Sequence, residues 1–384
     1  MKYFIPTYEQ AKEMVESKGN LVFYETMHRL DGFKVSVFNY RLAQYTDFLN
    51  PVPGKNYNGK EMRGITYVFN EDGTLFNNYL MLNKFWNLNQ VDETMFSILD
   101  NKKIKAVYNK EDGSLISFIK LPNGNVIPKT KMGFDNDQTI AVSKIYKENE
   151  DIRNFVDECL EKNYSTMWEY VSFKNKIVLD YTGSNIVLLK VRNNKTGEYI
   201  DIENFRNRGF DVVESEDFTD LSEMMKWAET AEDVEGCVIT FDDGDMCKLK
   251  TLWYFYRHRL LTEDTNREDA VIQMVLNETI DDIKSQLDEK IDAERIEWVE
   301  EIERIVLEFM EERVAEVEEL VSKYTGDIKD FAIRYRKAKN FGQAMNVIRG
   351  KFDAYGSVKE WLLRETNRLE KARSFVTRKG FKRK

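Results

Sequence analysis

The sequence predicts an α+β protein, with a domain of antiparallel sheets and flanking helices followed by an all-α C-terminal domain. Three observations carry that prediction. Short β-rich runs fill the first two thirds of the chain, turn signals separate them, and beyond about residue 267 apolar residues recur at helical spacing with no proline after Pro128. One core seldom serves more than roughly 250 to 300 residues, so a chain of 384 is expected to form two domains, 1–266 and 267–384.

In chain order, a helix is expected over Thr7 to Lys18. Strands follow at Val35–Phe38 and Gly64–Phe69, where β-branched and aromatic residues concentrate, and Glu71-Asp72-Gly73 signals the next turn. Leu115–Ile119 reads as a strand closed by Pro122-Asn123-Gly124, a helical pattern covers Thr139 to Lys162, and Ile186–Val191 is a strand before the Thr196-Gly197 turn. A helix over Asp220 to Glu232 and the turn signal Asp242-Asp243-Gly244 complete the first domain. In the second, Val271, Val275, Ile280, Ile283 and Leu287, then Ile302, Ile305, Val306, Phe309, Val317 and Leu320, keep helical spacing, with Gly326, Gly342, Gly350 and Gly356 as expected turns. The charged face of Glu278 to Glu319 leaves a coiled-coil dimer as an alternative, but its heptad is irregular and a monomer is expected. The basic end Arg378, Lys379, Lys382, Arg383, Lys384 reads as a solubilising tail, with a phosphate-gripping arm as the alternative.

A formal net charge of −10 argues against a wholly basic nucleic-acid coat protein and leaves room for a local basic cleft. No run approaches the roughly 18 apolar residues of a membrane span, and Glu9, Lys12, Glu13 and Glu16 interrupt the first apolar residues, so no membrane partner and a cytoplasmic location are expected, in a host cytoplasm if the chain is phage-encoded. Cys159, Cys237 and Cys247, with His28 and His258, show no metal-ligand spacing; the thiols are expected reduced and buried. Two histidines remove most Ser-His and Cys-His schemes, so catalysis would rest on Lys, Arg, Asp, Glu or a metal.

The run Lys110-Glu111-Asp112-Gly113-Ser114 places aspartate and glycine at +2 and +3 from a lysine. That is the layout of an enzyme that links a nucleoside monophosphate to its own side chain: an amine to attack phosphorus, a nearby carboxylate, and a glycine that lets backbone approach the ligand. Downstream, Glu169 lies in a hydrophobic stretch and Glu235 at the entry to a strand; each reads as a solvated strand residue or as an acid for phosphoryl transfer. Lys248 and Lys250 share a strand face, as an edge pair or as phosphate neutralisers. Upstream, Arg63 is suited to forking a phosphate and Lys84 sits among aromatics. Lys129 and Lys131 again fall on one strand face.

Taken in order, these stretches resemble the covalent nucleotidyltransferase superfamily, and more closely the RNA ligase 1 family of T-even bacteriophages, over most of residues 35–260. The resemblance is carried by Glu61-Met62-Arg63-Gly64, Asn83-Lys84-Phe85-Trp86-Asn87-Leu88, the Lys110 run and Lys129-Thr130-Lys131. It continues through Glu169-Tyr170-Val171, Lys176-Ile177-Val178-Leu179, Gly197-Glu198-Tyr199-Ile200, Val234-Glu235-Gly236 and Lys248-Leu249-Lys250 with Trp253-Tyr254. It implies ATP as nucleotide, Mg²⁺ as metal, and Lys110 as the adenylated nucleophile. Asp112, Glu169 and Glu235 match the family's essential acids and implied metal ligands. Arg63, Lys84, Gly113, Lys248 and Lys250 match nucleotide and phosphate contacts, and Lys129, Lys131 and Tyr254 match further binding positions. Where the family commonly has glycine after the second lysine of Lys-x-Lys, this chain has Met132 before Gly133. The implied activity is ATP-dependent joining of RNA 5′-phosphate and 3′-hydroxyl ends, as in repair of a nicked tRNA, with the helical domain choosing the RNA. A DNA ligase or guanylyltransferase, and a non-catalytic RNA-binding protein, stand as alternatives; the first pair would place a β-rich barrel after Lys250, which the helical pattern disfavours.

Overall fold

The computed structural model describes residues 2–19, 21–172, 184–254, 268–284 and 293–366. Two compact units divide the chain, Met1–His258 and Arg259–Lys384. Among the described residues the first unit has three antiparallel sheets. One is a meander of β1 (Phe23–Leu30), β2 (Phe33–Tyr40), β3 (Ile65–Phe69) and β4 (Leu75–Tyr79). Helix α1 (Tyr8–Ser17) packs Ala11, Met14 and Val15 against Phe23, Phe38 and Tyr67 of that sheet. Thr7 and Lys18 cap this helix, so it is one residue shorter at each end than its apolar pattern: Thr7 Oγ1 accepts from Gln10 N at 3.2 Å and Gln10 Oε1 from Thr7 N at 2.9 Å. Two short helices follow within the unit, α2 (Tyr45–Leu49) and α3 (Phe96–Leu99).

The second sheet contains β6 (Ser114–Lys120), β7 (Val126–Thr130), β8 (Tyr164–Ser172), β9 (Ser184–Asn193) and β10 (Tyr199–Ile200), in the order β10-β9-β8-β6-β7. Its apolar face, with Ile116, Phe118, Trp168 and Leu188, is covered by α4 (Asp137–Glu148) and α5 (Glu150–Glu161) through Val142, Ile152, Phe155 and Val156. The stretch expected as one helix from Thr139 to Lys162 is therefore two. Asn149 breaks it, adopting extended backbone while its side chain accepts from Ile152 N at 3.1 Å and caps the second helix.

The third sheet has the order β11-β5-β12-β13, from β5 (Ile104–Asn109), β11 (Ser215–Glu216), β12 (Gly236–Phe241) and β13 (Met246–Lys250). Helix α6 (Leu221–Thr230) closes its core, packing Leu221 and Met224 with Val107, Ile239, Cys237 and Cys247. All three cysteines are free and buried, as composition predicts. The four turn signals of this unit fall where expected, between β3 and β4, β6 and β7, β9 and β10, and β12 and β13. The consequential connection is the one from β5 to β6, because it leaves one sheet and enters another through Lys110–Gly113.

The second unit is helical among its described residues: α7 (Glu268–Leu276), α8 (Ile280–Lys284), α9 (Ala293–Ser322), α10 (Ile328–Tyr335), α11 (Phe341–Ile348) and α12 (Ala354–Thr366). Val271, Val275, Ile280, Ile302, Ile305, Val306, Phe309, Val317 and Leu320 are all buried, as their spacing predicts, and α9 packs on α7, α11 and α12. The Ile283 side chain, Leu287, Lys176 to Leu179 and the basic end lie outside the described residues. Gly326 and Gly350 occupy turns, whereas Gly342 and Gly356 fall in the first turns of α11 and α12. First-turn N–H groups need no helical partner, and Gly356 N donates instead to Asp353 Oδ1 at 2.6 Å. No described helix is long and apolar enough to cross a membrane.

Candidate active site

Lys110 sits at the end of β5, where its N–H donates to Gly236 O at 2.9 Å and Asn109 pairs with Cys237. This register lays Glu235 beside the lysine. Gly236 has φ 146°, and a Cβ there would stand 2.0 Å from Leu249 O, so only glycine lets β12 start so close to β13. Across the ladder Lys250 faces Gly236. Both lysines meet Glu235: Oε2 is 2.7 Å from Lys110 Nζ and Oε1 is 3.2 Å from Lys250 Nζ, with the carboxylate only 3% exposed. One buried acid is thus shared by two ammonium groups, which fixes the Lys110 amine in position and offsets the repulsion between them.

Asp112, 2% exposed, accepts a hydrogen bond from Tyr254 Oη at 3.3 Å. Tyr254 N donates to Thr251 Oγ1 at 3.1 Å, and that hydroxyl donates to Val234 O at 2.7 Å, so the Lys110 loop is tied to the segment that follows β13. Gly113 presses on β8: a Cβ would come 2.3 Å from Tyr170 O. Immediately beyond, Leu115 pairs with Glu169. Burial raises the Glu169 carboxyl to about 8; Lys110 and Arg63 pull it back, and Glu235 pushes it further up.

A cavity of about 290 Å³ opens between these elements. Arg63, Lys110, Glu111, Glu169, Lys190 and Lys248 give it charge, Tyr108 and Phe85 give it aromatic surface, and Leu82, Leu115, Leu189, Val213, Val238 and Met246 give apolar walls. Arg63 Nη1 donates to Leu82 O at 3.4 Å, and its guanidinium lies 5.9 Å from the Phe85 ring centre; Lys248 Nζ lies 5.3 Å from the same ring. Residues around Asn87 hold Lys248 in place, with Lys248 N donating to Trp86 O at 3.0 Å and Leu88 N to Lys248 O at 2.8 Å. Such a lining, cationic and aromatic with apolar walls, suits a flat, phosphate-bearing ligand.

Other residues singled out by sequence lie elsewhere. Lys84 Nζ and Lys131 Nζ converge on Tyr40, 5.1 and 4.9 Å from its ring centre, and Lys84 is also 5.5 Å from Trp86, so they form a separate cation and aromatic cluster. Lys129 does not reach the cavity; it is 1% exposed, and its Nζ donates to Gly64 O at 3.0 Å. Burial pushes that amine down to about 7. Lys131 does not share its strand face, because β7 stops at Thr130, where Thr130 N turns to Gly133 O. Asp112, Glu169 and Glu235 are not gathered as one metal cluster either, and among the described residues no three His, Cys, Asp or Glu side chains converge. Of the three acids, Glu169 is the one that lines the cavity.

Two features carry no motif. Arg192, fully buried, forks onto Glu61 with Nη1 to Oε2 at 2.7 Å and Nη2 to Oε1 at 2.6 Å, and also bonds Met81 O and Gly197 O. Lys190 enters the cavity from within a run that reads as plain strand.

A family model described as RNA ligase matches residues 61–260, more than half of the chain. The chain belongs to the T4 RNA ligase 1 family. Every cavity residue of this RNA ligase falls inside the matched span. A Thermovibrio ammonificans protein named "Putative RNA ligase" is 28% identical to it over 282 residues, covering 71% of this chain and 70% of the relative. Among solved structures it is similar to an archaeal ATP-dependent RNA ligase, at 12% identity and a TM-score of 0.47, covering 78% of this chain and 76% of that one. A Naegleria gruberi RNA ligase is similar at 15% identity and a TM-score of 0.36, over 48% of this chain and 57% of that one.

Proposed function

We propose that this RNA ligase uses ATP to join a 5′-phosphate to a 3′-hydroxyl RNA end by way of a lysyl-AMP on Lys110. The observation that carries the reading is Lys110 Nζ on the wall of a cationic, aromatic cavity, held at 2.7 Å by a buried Glu235. In the first step the amine, having lost its proton, attacks the α-phosphorus: the N–P bond forms, the bond to the bridging oxygen breaks, and pyrophosphate leaves. Arg63 and Lys248 line the same cavity and neutralise phosphate charge, while Glu235 keeps Lys250 beside the reacting amine. AMP then passes to the RNA 5′-phosphate as a 5′-5′ anhydride, and the 3′-hydroxyl displaces it.

A divalent metal fits this site through one acid. Both Glu235 oxygens face lysines and Asp112 meets Tyr254, so Glu169, together with ATP phosphate oxygens, would hold the ion, in keeping with the preference of Mg²⁺ for one or two carboxylates plus phosphates. The ion would supply charge neutralisation at the transferring phosphate. We assign adenylyl transfer to residues 1–266 and RNA choice to 267–384, with a broken RNA loop such as a nicked tRNA as substrate and a monomer acting in the cytoplasm.

Incubation of purified protein with Mg²⁺ and α-labelled ATP or GTP, followed by denaturing electrophoresis, tests the reading. Label from ATP is expected on the wild type and absent from Lys110→Ala. Label from GTP would make the enzyme a guanylyltransferase, and no label on folded protein that carries no AMP beforehand would sink the covalent mechanism.

A further inference from the structure

Lys190 is a buried cation in the cavity, in no ion pair among the described residues. It is 9% exposed, its Nζ stands 4.0 Å from the Tyr108 ring centre, and its hydrogen bond to Thr240 Oγ1 is long, at 3.4 Å. Two carboxylates, Asp201 and Glu203, act on it only from beyond ion-pair distance, and Glu203 is bound by Arg206. An ammonium desolvated in this way is costly unless something bonds it.

Its placement depends on a local irregularity of β9. Trp168 pairs with Leu188 but Met167 pairs with Lys190, so Leu189 is an extra residue in the ladder. Leu188 enters the core while Leu189 and Lys190 both face the cavity. Re-aiming a side chain is what such bulges do beside binding sites. Tyr108, under the ammonium, precedes Lys110 by two residues in an extended segment, which separates them by about 7 Å. The Lys190 end of the cavity is thus distinct from the Lys110, Glu169 and Arg63 end, and its other walls, Leu189, Val213 and Val238, are apolar.

From this geometry we propose that Lys190 reads the nucleobase, donating a hydrogen bond from Nζ to a ring nitrogen of the base that lies between those apolar walls. The inference rests on the cavity accepting ATP. A base has a flat apolar face and polar edge acceptors, and a pocket of mostly apolar lining with one aimed donor matches both. Phosphate is the competing ligand for a cation, and the cations offered to it are Arg63 and Lys248, which stand together at the Phe85 ring, 5.9 and 5.3 Å from its centre.

Self-adenylylation kinetics of the full-length enzyme with ATP and its 1-deaza, 3-deaza and 7-deaza analogues test this. For the wild type, one analogue is expected to raise the apparent KM by about tenfold to a hundredfold, the loss of one charge-assisted hydrogen bond. Lys190→Met is expected to raise the KM for ATP by a similar factor and to erase the distinction between ATP and that analogue, with inhibition by tripolyphosphate unchanged; Lys190→Gln, which keeps a donor, retains part of the distinction. Wild-type kinetics within about twofold for all three analogues would overturn the proposal without any variant. So would a Lys190→Met enzyme that still discriminates, or one that weakens tripolyphosphate as much as ATP. Wild-type protein that takes no label from ATP defeats the ATP reading itself, and base reading falls with it.

Discussion

Lys129 shows how burial alone sets the behaviour of a side chain. With its amine lowered to about 7, the folded chain lacks a proton there between that pH and the ordinary 10.5, while the unfolded chain keeps it. Stability therefore rises with pH through the window, by about 1.4 kcal/mol per pH unit for this one group. Lys129→Met is expected to be the more stable protein at pH 7 and to lose that slope; equal slopes in urea denaturations at pH 7 and 9 would refute the assignment. The Arg192 and Glu61 pair has the opposite character, since truncating the arginine leaves an acid buried and unpaired. Arg192→Ala is expected to cost about 3 to 5 kcal/mol in chemical denaturation. Neither residue was legible as a partner: they are 131 positions apart, Glu61 in a short turn ahead of β3 and Arg192 on β9, and only the tertiary fold brings them together. Lys110, Glu169, Glu235 and Lys250, by contrast, lie in short runs that the family resemblance singles out, and the structure brings Lys110, Glu235 and Lys250 together. Lys190 was hidden because a bulge, which period-two counting cannot see, decides where it points.

Strand and helix positions followed the apolar periodicity closely, and the departures have local causes. Asn149 divides one helical pattern into two because its side chain competes for backbone N–H groups, and β7 ends one residue short of Lys131 because a turn begins at Thr130. The loop from β5 to β6 is the element on which the proposed chemistry depends. Its glycine admits no side chain, since a Cβ at Gly113 would meet backbone at 2.3 Å, and a strand cannot yield as a flexible side chain would. Gly113→Ala is expected to reduce self-adenylylation at least about tenfold and to lower the melting temperature, because the loop must lift away from β8 and carry Lys110 with it. Full labelling by that variant would show that the loop's seat on Tyr170 is dispensable.

At the scale of the whole molecule, charge and composition told little, for a net −10 conceals a cavity lined by four cations. The division into a mixed unit and a helical one was legible from the change of periodicity; what the helical unit recognises was not, because its residues carry no comparable motif. Deleting residues from 268 onward is expected to change RNA preference more than self-adenylylation, and loss of labelling in a folded truncation would overturn that division of labour. The cavity draws its walls from two separate sheets, Glu169 and Lys190 from one, Tyr108, Val238 and Lys248 from the other. A nucleotide lodged there, as proposed, would brace the two sheets against each other, and a free ligand at a hundred times its Kd would add about 2.7 kcal/mol. In the proposed lysyl-AMP the nucleotide would stay until RNA or pyrophosphate takes it, so the brace would outlast any free ligand. Protein as purified is then expected to be a mixture of two heat stabilities, and adding pyrophosphate, which reverses the first step, should collapse its melting curve onto the lower one.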